Sequence, residues 1–186
     1  MSEARPPARE RMDQSNTSIR RADAADAALL AELGARTFRD TFADSTKPED
    51  MIAYLSAAFG TEIQAAELAD ARSTFFVAET DGAASGYAKL HAGEAEPCVE
   101  GGKPVELARL YVGREWFGRG VGALLMRACV EEARRAGHAT MWLGVWEHNA
   151  RAQAFYRKWG FRAVGEHVFP VGSDPQIDLI MERALV

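Results

Sequence analysis

The chain has 186 residues, 47% hydrophobic and 26% charged, with a formal net charge of −5. That length and balance suit a single globular domain with a full core. The acidic balance, without a basic block, speaks against a nucleic-acid or anionic-membrane partner, and no apolar run approaches the ~20 residues that a spanning helix needs.

Residues 1–15 are rich in Pro, Arg and Glu and lack periodicity, which predicts a mobile N-terminal tail. They contain no apolar core of a secretory signal. Glu3, Glu10 and Asp13 do not suit an organellar transit peptide, so the expected location is the cytoplasm. Residues 16–186 are expected to form the domain. A short strand over 17–20 is followed by Asp23 as N-cap of a helix carrying Leu30, Leu33 and Phe38. Pro48 opens a second helix, which stops at Gly60, and a third covers 62–71. At Ser73 the pattern changes to strands: 74–78, the turn dipeptide Asp81-Gly82, and a return strand over 86–91. A polar loop covers 92–103. Residues 104–112 are apolar on both faces, as in a central strand.

A glycine-rich loop, 113–122, precedes a helix whose expected core face is Val121, Leu124, Leu125 and Ala128, closed by Gly137. A buried strand over 141–145, a helix from Asn149 to Gly160, and strands over 161–169 and 177–184 complete the chain. This order describes a mixed α/β domain, not a doubly wound parallel fold.

Two cysteines, Cys98 and Cys129, form neither a CxxC pair nor a ligand cluster. Cys129 reads as core. Cys98, between Glu96 and Glu100, lacks the electropositive neighbour of a reactive thiolate. His91 and His167 show no metal spacing, and the reading is no metal.

The loop Gly118-Arg119-Gly120-Val121-Gly122-Ala123 follows a strand and opens a helix, an arrangement that presents backbone N–H groups and positive potential to a phosphate. Arg119 and Arg114 can add charge-assisted donors. A dinucleotide fingerprint fits poorly, because residues 113–117 separate strand from glycines and no acid follows at the expected place. A P-loop lacks its Lys-Ser/Thr ending. A purely structural glycine turn stays open.

The segment Gly118 to Gly122, followed by Asn149-Ala-Arg-Ala-Gln-Ala-Phe-Tyr156 and Gly160-Phe161, strongly resembles the GNAT acetyltransferases. Their hallmark is a Gln/Arg-x-x-Gly-x-Gly/Ala loop. Here Phe117 stands where the family usually carries Gln or Arg, which puts one side-chain phosphate contact in doubt. The likeness spans roughly residues 17–185. Within the family it is strongest to PaiA-type spermidine/spermine N-acetyltransferases, through 37–42, 53–59, 142–149 and 178–181. The resemblance implies the GNAT acyl-CoA N-acyltransferase fold, a central mixed, mostly antiparallel sheet flanked by helices. It also implies acetyl-CoA as co-substrate and an amine acceptor, with a polyamine favoured. An amino acid, a protein N-terminus or an aminoglycoside are alternative acceptors, and a non-catalytic CoA-binding regulator is an alternative of another class. Sheet edges often pair in this fold, which leaves a homodimer open.

The same resemblance implies roles. Tyr156 is the candidate acid for the departing sulfur, and Asn149, Gln153 and Tyr156 share one helical face. Phe155 aligns instead with Ala152 and Trp159, the expected core face. Glu106 is the candidate base, with a strand-end role or pairing to Arg109 as equal alternatives. Leu110, Tyr111 and Val112 would bind the pantetheine arm through backbone groups, and an N–H there can serve an oxyanion. Phe117, Gly118, Arg119, Gly120, Val121, Gly122, Ala123 and Asn149 would complete the cofactor site. Asn149 also reads as a simple N-cap, and Glu147 as a solvated loop charge. Phe38, Phe42, Trp116 and Trp146 could line an acceptor pocket, but at helical or strand spacing they read first as core.

Overall fold

The computed structural model describes residues 16–43, 46–171 and 174–185; the expected tail at 1–15 lies outside them. The elements are β1 (Thr17–Arg21), α1 (Ala27–Phe42), α2 (Pro48–Ala58), α3 (Thr61–Ala69), β2 (Ser73–Thr80), β3 (Ala83–His91) and β4 (Pro104–Val112). They continue with α4 (Val121–Arg135), β5 (Thr140–Trp146), α5 (Ala150–Lys158), β6 (Arg162–Val171) and β7 (Asp174–Ala184). The strands form one seven-stranded sheet ordered β1-β2-β3-β4-β5-β7-β6. Every neighbouring pair is antiparallel except β4/β5, which is parallel. No helix among the described residues is long and apolar enough to cross a membrane.

Local chemistry sets the boundaries. Asp23 accepts from the Ala25 N–H (2.8 Å), while Asp26 accepts from the Asp23 N–H (2.9 Å). This capping box heads a single 3-10 turn, and α1 follows from it. Asp81 (φ 52°) and Gly82 (φ 81°) are both left-handed, as a two-residue hairpin turn requires. At the end of α4 the His138 N–H bonds Ala133 O and the Gly137 N–H bonds Arg134 O, both at 3.0 Å, with Gly137 at φ 79°. That is a Schellman stop.

The sheet buries both faces. On one, Val105, Leu107, Met141, Leu143 and Val145 pack against α4 and α5. The α4 core face is Val121, Leu125, Met126, Cys129, Val130 and Ala133. Leu124 and Ala128, expected in the core, lie half-buried at its edge, because the stripe centres one position further round the helix. On the other face, α1 and α3 cover Phe75, Val77 and Tyr87, and a second cluster gathers Phe38, Met51, Phe59 and Val171.

Gly34 marks the tightest approach of α1 to this layer. A Cβ there would sit 2.4 Å from Phe59 Cδ1 and 2.7 Å from the Tyr87 hydroxyl. Gly34→Ala is therefore expected to destabilise the fold by about 1–3 kcal/mol, the usual cost of overpacking. Urea melts of the two proteins check this; an unchanged midpoint would show that the ring of Phe59 yields freely.

The feature that creates a site is the β4/β5 seam. Pairing runs only through Pro104↔Thr140, Val105↔Met141 and Glu106↔Trp142. Beyond it β4 stays with β3 as far as Val112↔Gly86, and β5 stays with β7 as far as Trp146↔Asp178. Past Glu106 the sheet opens into two diverging halves, and the β5-facing edge of Leu107–Val112 has no strand partner.

Candidate active site

A cavity of about 990 Å³ occupies this opening and passes from one face of the sheet to the other. On the α4/α5 side it is lined by Phe117, Gly118, Gly120, Val121, Gly122 and Ala123. Gly118 (φ 78°) and Gly120 (φ 87°) hold left-handed conformations that a Cβ would strain. α4 starts at Gly120 without a side-chain cap, so its first N–H groups are not spent on one. Gly122 fits between Phe155 and Val112, its absent Cβ 3.7 Å from each.

Cations gather at this end: Arg114, Arg151 and Lys158 line the cavity. The guanidinium of Arg151 lies 3.3 Å from the ring centroid of Phe117, and burial holds its pKa below the ordinary value. The Phe that departs from the family pattern thus seats a cation delivered by α5. The Arg119 guanidinium lies 5.3 Å over the ring of Trp116, which lines the cavity.

In the middle stand Leu110, Tyr111, Val112, Asn149 and Tyr156. Asn149 Oδ1 accepts from the Ala152 N–H (3.0 Å), which caps α5. Gln153 donates to Glu147 O (2.7 Å) and Trp146 O (3.3 Å), so it ties the β5–α5 turn together. Tyr156 is 9% exposed, whereas Phe155, Ala152 and Trp159 are half-buried. Ala152, Phe155 and Trp159 pack against the main core as expected, and the Gln153/Tyr156 face lies deeper still. Burial, with Tyr111 and Cys129 nearby, pushes the Tyr156 phenol well above its ordinary pKa.

Across the sheet the lining turns acidic and aromatic. Glu106 is half-buried, and burial raises its pKa against the pull of Lys89, His167 and Arg109. Pairing with Arg109 is not found. That guanidinium bonds Glu67 through two nitrogens (2.5 and 3.0 Å) and Gln64 (3.2 Å), and Lys89 joins Glu67 at 2.9 Å. Glu147 is exposed and outside the cavity.

Phe38, Phe42, Trp116 and Trp146, read as core from their spacing, all reach the lining. Phe38, Phe42 and Tyr54 stack at 4.4 Å, and Phe42 meets Trp146 at 5.2 Å. Three further groups were not singled out by sequence reasoning: Tyr54, Asp178 and His167 as a paired side chain. His167 bonds Glu96 at 2.8 Å and lies 4.0 Å from Asp178. Burial pushes the Asp178 carboxyl up to about 6. A carboxylate inside the apolar run Ile177-Asp178-Leu179-Ile180-Met181 was the available signal. Cys98 packs in the 92–103 loop and Cys129 is fully buried. Among the described residues no group of three His, Cys, Asp or Glu is placed to hold a metal.

Comparison with known proteins places this architecture. The model of the acetyltransferase (GNAT) family matches residues 35–161. An uncharacterised N-acetyltransferase of Lactobacillus delbrueckii subsp. lactis is 35% identical over 150 residues, 81% of this chain and 87% of the relative. The PaiA N-acetyltransferase of Thermoplasma acidophilum, solved with coenzyme A, superposes with a TM-score of 0.73 at 21% identity, covering 91% of this chain and 99% of that one. The ribosomal-protein-S18-alanine N-acetyltransferase of Escherichia coli superposes at 0.66 and 18% identity, covering 91% and 94%. With the family model spanning most of the chain and a relative at 35% identity, the chain belongs to the GNAT acetyltransferase family and is an acetyl-CoA-dependent N-acetyltransferase.

Proposed function

We propose that the acceptor is a small primary amine, with a polyamine such as spermidine or spermine favoured. The observation that carries this is the polarity of the cavity. It is glycine-lined and cationic on the α4/α5 side, and carries Glu106, Asp178 and stacked aromatics on the other. Acidic and aromatic walls suit an alkyl ammonium.

Each residue then has a task. The backbone of 118–123 cradles the pyrophosphate, with Arg114 and Arg151 beside it. The open edge at Leu110, Tyr111 and Val112 holds the pantetheine arm and offers an N–H to the carbonyl oxygen. Glu106 takes a proton from the ammonium, directly or through water. The neutral nitrogen attacks the thioester carbonyl carbon; the C–N bond forms and the C–S bond breaks. Tyr156 donates a hydrogen bond that stabilises the leaving thiolate, and the second proton, shed by the nitrogen after attack, passes to that sulfur.

The test is release of CoA thiol from acetyl-CoA against spermidine, spermine, putrescine, lysine, a short peptide and an aminoglycoside. Saturable release with spermidine or spermine, well above the rest, is expected. A preference for lysine, peptide or aminoglycoside would sink the polyamine assignment and keep the chemistry. No release with any amine would leave two readings: an acceptor outside the panel, or a CoA-binding regulator.

Arg151→Ala probes the donor end. It is expected to raise KM for acetyl-CoA about five- to tenfold, the worth of one partly exposed charge-assisted contact, with kcat nearly unchanged. An unchanged KM would remove Arg151 from phosphate binding.

A further inference from the structure

The loop before β4 folds over β6 and ends in a specific contact. Gly165, at a register shift in β6, leaves room for Cys98, whose sulfur lies 2.6 Å from where a Cβ would stand. This seats Glu96 against His167 Nδ1 at 2.8 Å. With Nδ1 engaged by that carboxylate, Nε2 is the ring nitrogen left to meet a further partner. Nε2 is buried and, among the described residues, has no hydrogen-bond partner. Asp178 Oδ2 stands 4.0 Å away, too far for a direct bond. Both atoms converge over Gly144 of β5: a Cβ there would be 3.1 Å from Asp178 Oδ2 and 3.6 Å from His167 Nε2.

Asp178 Oδ2 and His167 Nε2 face each other in the cavity lining at a spacing that a ligand nitrogen carrying several N–H bonds would bridge. Glu106 is a separate station: it pairs with Trp142 of β5, two residues, or about 7 Å, along the strand from Gly144, over which Asp178 and His167 meet.

We infer that Asp178 and His167, the latter oriented by Glu96, bind a protonated nitrogen of the acceptor other than the one acetylated at Glu106. The bare backbone of Gly144 makes the room. The station selects acceptors with two cationic nitrogens over monoamines of equal length. It rests on the amine-acceptor reading above and adds to it a residue-level basis for selectivity. Glu96 is a positioning residue, because it acts through the imidazole. Tyr54 and Tyr111 also face Asp178, and both stay neutral near pH 7, their phenols raised by burial, so they do not compete for the cation.

The test compares octane-1,8-diamine with octylamine, and both with spermidine, in the full-length enzyme and in Asp178→Asn, His167→Gln, Glu96→Gln and Gly144→Ala. The wild type is expected to favour the diamine over the monoamine in kcat/KM. Asp178→Asn should reduce that ratio about 10- to 100-fold through the amine KM, with KM for acetyl-CoA unchanged. His167→Gln and Gly144→Ala should reduce it less, and Glu96→Gln should follow His167→Gln. The unchanged acetyl-CoA KM shows that each variant is folded. A wild type that acetylates these amines while Asp178→Asn and Gly144→Ala keep its diamine preference would overturn the station and leave the amine reading standing. A wild type that acetylates none of them would overturn the amine reading, and the station with it.

Discussion

Tyr156→Phe is expected to lower kcat by about 10²- to 10³-fold, the range of a lost general acid, while KM for acetyl-CoA stays within about twofold. The substitution removes one oxygen and keeps the ring, which packs edge-on against Phe155 (5.6 Å) and Phe161 (5.8 Å). Packing and cofactor affinity should therefore survive. Burial raises the phenol's pKa, so it stays protonated at neutral pH. It is then always able to donate a hydrogen bond, which stabilises the charge that develops on sulfur as the C–S bond breaks. Steady-state kinetics of the purified variant decide the matter. Equal turnover would take Tyr156 out of the chemistry and assign it to packing.

Glu106→Gln is the second large effect. At pH 7 an alkyl amine, with a pKa of about 10.4, is almost wholly protonated, so the base has most to do there. The variant should lose about 10²-fold in kcat/KM for the amine. The gap should close as pH rises toward 10, where the amine deprotonates without help. A pH-independent deficit would indicate a role in binding rather than proton removal. Stability should move the other way. Burial raises the Glu106 pKa above its ordinary value of 4.5. The folded state therefore holds this proton more tightly than the unfolded chain does. The group's favourable contribution is present below pH 4.5 and is lost as pH climbs through the raised pKa. Above that raised pKa the substitution removes a buried charge, so the melting temperature there should hold or rise.

The order of elements was legible because punctuation in this chain is strong. Asp81-Gly82, Pro48, Asn149, Gly137 and Gly160 each mark a boundary with a backbone reason behind it. The glycine loop was legible for the same reason: Gly118 and Gly120 are needed at positive φ. The acceptor side was not. Its groups come one at a time from α1, α2, β4, β5, β6 and β7, and Phe42 or Trp146 on a helix or strand looks like any core aromatic until the seam opens beside it. Arg109 shows the same limit: its partner Glu67 lies 42 residues away, whereas Glu106 was near at hand in sequence. The replacement of Gln/Arg by Phe117 looked like a loss until α5 brought Arg151 onto its ring.

One crossed kinetic measurement tests most directly whether the cleft receives its two substrates from opposite faces of the sheet. KM for acetyl-CoA and KM for spermidine are determined for the wild type, Arg151→Ala and Asp178→Asn. The predicted result is a clean exchange: Arg151→Ala raises the acetyl-CoA value alone, and Asp178→Asn raises the spermidine value alone. If both variants shift both values together, or if Asp178→Asn weakens acetyl-CoA instead, the two ends of the cavity do not divide the substrates and the assignment of its faces is wrong.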